Sequence, residues 1–242
     1  MSSSRVRVHD GSSQPTFLFE SFCVLSAYGL VFIHLLRVFQ HGSPWHWGCV
    51  IAILLGWIAA DFVSGMVHWL ADTWGSESML WIGPRFLRPF RVHHVTPTSF
   101  LDCKFMDTNG DTALLGIPFL LAIFAIPLST FAGSIAAIFL ISFCLFALPT
   151  NQIHQWAHMP SPPRAVQWLQ RSGLILSRVA HDRHHSDGHQ QHYCITTGFC
   201  NSGLEKIRFF PVLERVVTKL TGLKPRQDEA AHAESKHVET LP

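Results

Sequence analysis

The sequence predicts an all-α, multi-pass membrane protein with four transmembrane helices and a histidine-rich cap on the cytoplasmic side. Three observations carry that reading. Hydrophobic residues make up 48% of the chain and charged residues 14%, against about 25% charged in soluble domains. The apolar residues gather into runs long enough to cross a bilayer. The histidines, sixteen in all, concentrate in a few short polar windows between and after those runs.

Met1–Pro15 is Ser-rich and polar and reads as a disordered N-terminus. The first span lies at about 17–37; it is too long for a signal-peptide core and reads as a retained helix, closed by Arg37. A short turn with Gly42 and Pro44 follows. The second span, at about 46–70, has Trp45, Trp47 and Trp69 near its ends as interfacial aromatics. Asp61 and His68 sit in its last third, and ionisable residues inside a span are functional candidates. Residues 71–111 are hydrophilic, with Phe86, Leu87, Pro89 and Phe90 set among arginines as in a segment lying at the interface. Thr112–Thr150 is almost wholly apolar. As one helix it would reach roughly 58 Å, about twice the hydrocarbon core. Pro127, Ser129, Thr130 and Gly133 therefore mark a turn between a third span at about 112–127 and a fourth at about 133–153. One membrane domain then covers 16–223. Near its end Leu213, Val216, Val217 and Leu220 recur at helical spacing. Residues 224–242 form a polar tail.

Lys and Arg flank the first span, populate 71–111 and crowd the region after 158, whereas the turns at 40–46 and 127–133 carry none. The positive-inside rule then makes both termini and the middle segment cytoplasmic. The membrane would be that of the endoplasmic reticulum in a eukaryote and the inner membrane in a bacterium. A net charge of +2 with no basic stripe argues against a nucleic-acid partner. The six cysteines form no CxxC pair and support neither a zinc ribbon nor a disulfide framework.

That topology brings the chemistry to one side. His181, His184 and His185 share a helical face at i, i+3 and i+4, and His189 and His192 follow. His154 and His158 are an i, i+4 pair, as are His68 and Asp72, and His93–His94 lie upstream. His9, His34, His41, His46, His232 and His237 fall outside the pattern and read as surface or structural. A single HxxHH is as compatible with a solvated turn as with a metal site. Ten clustered rings are not, since an unpaired buried polar group costs roughly 1–3 kcal/mol. Ten imidazoles exceed one metal's needs, so two metals are the natural count. A zinc hydrolase is disfavoured because Gln155 and Trp156, not Glu, stand inside HQWAH. Iron supplies oxygen chemistry, and zinc has no redox role. A metal carrier is a further alternative, but carriers place ligands near the bilayer midplane.

The segments ADFVSGMVHWLADTWGS, RPFRVHHVTPTSF, TNGD, TNQIHQWAH, HYCITTG, LEKI and LTGLKPR, in that order over about residues 58–227, resemble the plasmanylethanolamine desaturase family. That family lies within the histidine-box membrane fatty-acid desaturase and hydroxylase superfamily. The resemblance implies conversion of a 1-O-alkyl ethanolamine phospholipid into its vinyl ether by O2 and two non-haem iron ions. It implies electrons from cytochrome b5 and its reductase, or from a ferredoxin. The residues matching the family's ligands are His68, His93, His94, His154, His158, His181, His184, His185 and His189. Asp72 and Asn151 are candidates for supporting or water-mediated roles, Arg88 and Arg91 for the lipid phosphate. His192 reads as a neighbour of the site. Related plant enzymes act on an acyl chain of phosphatidylglycerol, which is the alternative substrate.

Overall fold

The computed structural model describes residues 14–42, 46–99, 101–186 and 189–226. Most of the expected disordered N-terminus, the tip of the first turn with Pro44 and Trp45, and most of the expected tail lie outside the described residues, as do His9, His232 and His237. The described residues are helical and contain no strand.

Four helices are long and apolar enough to cross a membrane. α1 (Gln14–His41) is followed by α2 (Trp47–Thr73), at whose start His46 Nδ1 accepts the Gly48 N–H and caps the helix. A π turn, Gly83–Leu87, leads into the short α3 (Arg88–Val95). α4 (Phe105–Ala122) ends in a 3₁₀ turn, Ile123–Ala125. The chain reverses at Pro127–Thr130, within the turn predicted near Pro127–Gly133, with Thr130 capping α5 (Phe131–Ala147). α5 runs on across Pro149 into α6 (Thr150–His158), and the two together make the fourth span. α7 (Arg164–Arg171), α8 (Arg178–Ser186), α9 (Asn201–Lys206) and α10 (Phe209–Thr221) complete the order.

α4 starts at Phe105, earlier than the apolar run that begins at 112. Its first two turns are polar, yet its neighbours satisfy them. The Asn109 amide oxygen accepts the Gln152 N–H at 3.2 Å, and the Thr112 hydroxyl donates to the Leu148 carbonyl at 2.9 Å. A hydropathy pattern cannot register partners that arrive from another helix.

α1 packs along α4 and α2 along α5. Small residues set the spacing: a Cβ on Gly56 would meet the Phe139 carbonyl oxygen at 2.6 Å. The core between them holds Leu120, Ile123, Ile141 and Leu148. His34 bolts α1 to α4. Arg37 donates to its Nδ1 at 3.0 Å, so its Nε2 carries the hydrogen and donates to the Leu120 carbonyl at 2.8 Å. Arg37, half-buried, also covers the Phe124 ring.

At the end of the bundle opposite the Pro127–Thr130 turn, α3, α6 and α8 close over the last turns of α2. Trp69 is buried there against Trp74 and Phe210, and so is not the interfacial aromatic expected. Phe90 turns inward onto His68 at 5.1 Å between ring centres. α10 packs on this end through Phe210, Leu213 and Val217, while Val216 and Leu220, of the same predicted stripe, stay exposed.

Candidate metal centre

Helical periodicity sorts the ligands. Residues four apart stand about 40° apart around a helix and reach one point, whereas adjacent residues stand about 100° apart and cannot. His154 and His158 of α6 therefore act together, as do His181 and His185 of α8, and His68 and Asp72 of α2. The adjacent pairs His93–His94 and His184–His185 divide. The outcome is two neighbouring clusters: His93, His154, His158, His181 and His185 in one, and His68, Asp72, His94 and His184 in the other. The His93 and His94 rings, one in each, are 4.3 Å apart between centres.

The donor atoms converge as metal ligands do. Imidazole nitrogens bind transition metals at about 2.0–2.1 Å, which puts ligands on adjacent corners of an octahedron about 3 Å apart. In the first cluster the Nε2 atoms of His154, His158 and His181 stand 2.8–3.2 Å from one another, and His185 Nε2 is 3.1 Å from His181 Nε2. In the second, His184 Nε2 lies 3.1 Å from His94 Nε2. Asp72 Oδ2 lies 3.2 Å from His68 Nε2 and 3.7 Å from both His94 and His184 Nε2. His68 Nε2 is buried and makes no hydrogen bond. So many buried nitrogen lone pairs aimed at two points fit two cations.

Backbone carbonyls fix which nitrogen faces inward. His68 Nδ1 donates to the Tyr193 carbonyl at 3.1 Å, His184 Nδ1 to that of Gln191 at 2.7 Å, and His93 Nδ1 to that of Pro89 at 3.3 Å. Each leaves Nε2 to the metal, the usual supporting arrangement. The 191–201 segment that supplies two of these carbonyls is held by Asp61. Its Oδ1 accepts the N–H groups of Thr197 and Gly198 at 2.7 and 2.9 Å, and its Oδ2 that of Cys200 at 2.9 Å. Gly65 lets the segment lie against α2, since a Cβ there would meet Cys194 Sγ at 2.5 Å. Asp61 is thus the anchor of the site's wall and not a ligand.

Burial first, and neighbouring imidazoles second, hold His93, His94, His181 and His184 well below the usual imidazole range. Burial, then His189, brings His185 down to about 4. These rings are neutral at pH 7, as ligation requires. The sign for stability follows. Between about 6.5, where unfolded histidine titrates, and about 4 for His185, the unfolded chain binds more protons than the folded one. Stability must therefore fall as pH drops through that window. Thermal unfolding of the metal-free protein in detergent, followed from pH 7.5 to 4.5, is expected to show a steadily falling midpoint. A midpoint level across that range would contradict neutral buried rings.

Eight of the nine histidines expected as ligands enter the two clusters. His189 does not: its ring stacks on His94 at 4.0 Å between centres and covers that side of the second cluster. Asp72, expected in a supporting or water-mediated role, stands among the residues of the second cluster. Asn151 stands in neither cluster and lines a pocket beside the first. His192 is a neighbour, as read from the sequence: Glu205 takes its Nε2 at 3.0 Å and its backbone N–H at 3.1 Å. Arg91 is corrected. It is buried, and its Nη2 donates to the carbonyls of Trp74 and Gly75 at 2.9 and 3.1 Å, closing the end of α2. That guanidinium is used within the fold, whereas Arg88 is exposed on α3. Glu20, buried in the first span, was not singled out, although an acid inside a span is itself the signal.

Residues 57–228 match the model of the lipid desaturase domain. The chain is 43% identical over 190 residues to a plasmanylethanolamine desaturase of Myxococcus xanthus, covering 78% of this chain and 68% of that one. It is 38% identical over 224 residues to plasmanylethanolamine desaturase 1 of Mus musculus, covering 87% and 78%. It is 33% identical over 175 residues to the chloroplastic fatty acid desaturase 4 of Arabidopsis thaliana, covering 71% and 52%. No solved structure matches. A metal-ready histidine cage at the end of four spanning helices and this extent of identity lead to one conclusion: the chain belongs to the plasmanylethanolamine desaturase family of membrane lipid desaturases.

Proposed function

We propose that this enzyme converts 1-O-alkyl (plasmanyl) ethanolamine phospholipid into the vinyl-ether (plasmenyl) plasmalogen. The alkyl chain loses two hydrogens beside the ether oxygen, while O2, two protons and two electrons become two waters. The observation that carries the reading is the pair of adjoining clusters, nearly all histidine, in a chain 43% and 38% identical to plasmanylethanolamine desaturases. Two non-haem irons, bound there, would supply the oxygen activation that removing hydrogen from an alkyl chain requires. The first would take the five-histidine cluster, and the second His68, Asp72, His94 and His184.

The chain's own residues hold these nitrogens neutral and aimed, and the Phe90 and Tyr193 rings against His68 keep water from it. The electron donor is cytochrome b5 with its reductase, or a ferredoxin. With the Lys- and Arg-rich segments on the metal-bearing side, that side and both termini are cytoplasmic. The membrane is the endoplasmic reticulum in a eukaryote and the inner membrane in a bacterium. Arg88 remains the candidate for the lipid phosphate.

The test is lipid mass spectrometry of cells that lack plasmalogens, expressing this chain and supplied with a 1-O-alkyl glycerol. Acid-labile vinyl-ether lipids are expected with the wild type and not with His185→Ala. A new double bond in an acyl chain, with no vinyl ether, would favour the acyl-lipid reading that the similarity to fatty acid desaturase 4 suggests.

A further inference from the structure

α10 is apolar around more of its circumference than the protein covers. Each residue steps about 100° around a helix, so the packed Phe210, Leu213 and Val217 and the exposed Val212, Val216 and Leu220 together fill about 160°. Leu220 is 80% exposed. Leu223, just past the Gly222 that ends the helix, is exposed too. The free edge of this stripe is basic. Arg215 and Lys219 stand beside it, both exposed, and Arg208 and Lys224 lie at the two ends of the helix. The acids are turned away. Glu214 is half-buried on the far side of the helix, and Glu205, before the helix, is taken by His192. Scattered exposed apolar side chains are ordinary, but an apolar stripe edged by Lys and Arg is the pattern of a helix lying in a membrane interface.

The helix is also placed for that role. Its first turn touches a membrane span: the Phe209 ring lies 5.6 Å from that of Phe62 in α2. Just before it in the chain, the exposed Phe199 lies 5.9 Å from Trp57 of the same span. Val63, next to Phe62, is itself exposed. Apolar surface thus passes from the flank of the second span, by way of Phe199 and Phe209, to α10. We propose that α10 lies in the membrane leaflet on the metal-bearing side, with its Val212–Val216–Leu220 stripe among the lipid chains and Arg215 and Lys219 on anionic headgroups. An anionic headgroup attracts both cations, whereas in a choline headgroup the trimethylammonium offsets the phosphate. This seat reaches the metal site. Phe210, on the packed side, meets the Tyr193 ring at 4.8 Å, and that ring meets those of His68 and His184 at 5.7 and 5.4 Å. The leaflet therefore supports one wall of the second cluster through α10. The spanning helices alone call for this placement, whichever lipid is desaturated.

The experiment has two arms. In the first, a photoreactive benzophenone amino acid replaces Leu220 in the full chain, and the membranes of the expressing cells are irradiated. Mass spectrometry of the purified protein is expected to find phospholipid joined at position 220. An adduct to another protein or to a second copy of this chain, or no adduct, overturns the proposal. In the second, native mass spectrometry follows the purified full chain in detergent as it is titrated with phosphatidylserine or with phosphatidylcholine of identical chains. Phosphatidylserine is expected to bind about tenfold more tightly, the scale for two cations at an anionic surface. Arg215→Gln combined with Lys219→Gln is expected to cut that preference at least about threefold. Both side chains are exposed, so the double variant is expected to fold. No preference in the wild type, or one undiminished in the double variant, overturns the proposal.

Discussion

His181→Ala is expected to lower desaturation by at least about 10³-fold, the scale of the several kcal/mol that a metal centre contributes. Its Nε2 is the hub of the first cluster, within 2.8–3.1 Å of the Nε2 atoms of His154, His158 and His185. Removing it leaves four rings, three of which lose the nitrogen they converge on, and breaks the geometry that holds a metal in place. Asp72→Ala is expected to be as severe through the second cluster. His189→Ala is the contrast. Its ring covers His94 and belongs to neither cluster, so its loss is expected to cost about tenfold to a hundredfold, the range for groups that support ligands. Turnover of a supplied ether lipid in membranes, normalised to protein, measures all three. A His189→Ala loss as deep as that of His181→Ala would return His189 to the ligands.

Asp61→Ala is expected to destabilise the fold by roughly 3–5 kcal/mol, since three N–H groups lose a charged acceptor at once. The midpoint of thermal unfolding would drop by about 10 °C. The effect reaches the chemistry as well. The segment that Asp61 holds carries the Tyr193 carbonyl, which fixes His68, and the Gln191 carbonyl, which fixes His184. Activity is therefore expected to fall even at temperatures where the variant is folded. Asp61→Asn keeps one acceptor oxygen and is expected to lie between wild type and Ala. A variant with an unchanged midpoint would show that the segment is held by its packing against α2 alone.

The four spans and the turn after Pro127 were legible because a bilayer imposes length and apolarity on any helix that crosses it. The i, i+4 pairs were legible for a related reason: a helix brings them to one face wherever it is placed. Other features depended on tertiary partners. Thr108 and Asp111 made 105–111 look like loop, and only Gln155 of α6 and Arg85 reveal why they tolerate a helix. Arg91 read as a candidate for the lipid phosphate because nothing local announces that the end of α2 will present carbonyls to it. The places of Asp72 inside the second cluster and of His189 beside it have a geometric reason. Asp72 is fixed one helical turn from His68, whereas His189 follows α8 in a left-handed backbone conformation, φ 60°, whose direction sequence spacing does not specify. The division of His93 from His94, and of His184 from His185, follows from the 100° step of a helix once two metals are supposed.

The central claim is that this chain holds two irons in two separable clusters, and metal analysis of the purified protein with its spectroscopy tests it most directly. The account predicts two irons per chain, magnetically coupled because the clusters adjoin, with His181→Ala and Asp72→Ala each keeping at most one. A wild type that binds a single iron, or two irons that persist when His181 and Asp72 are both replaced, would contradict it.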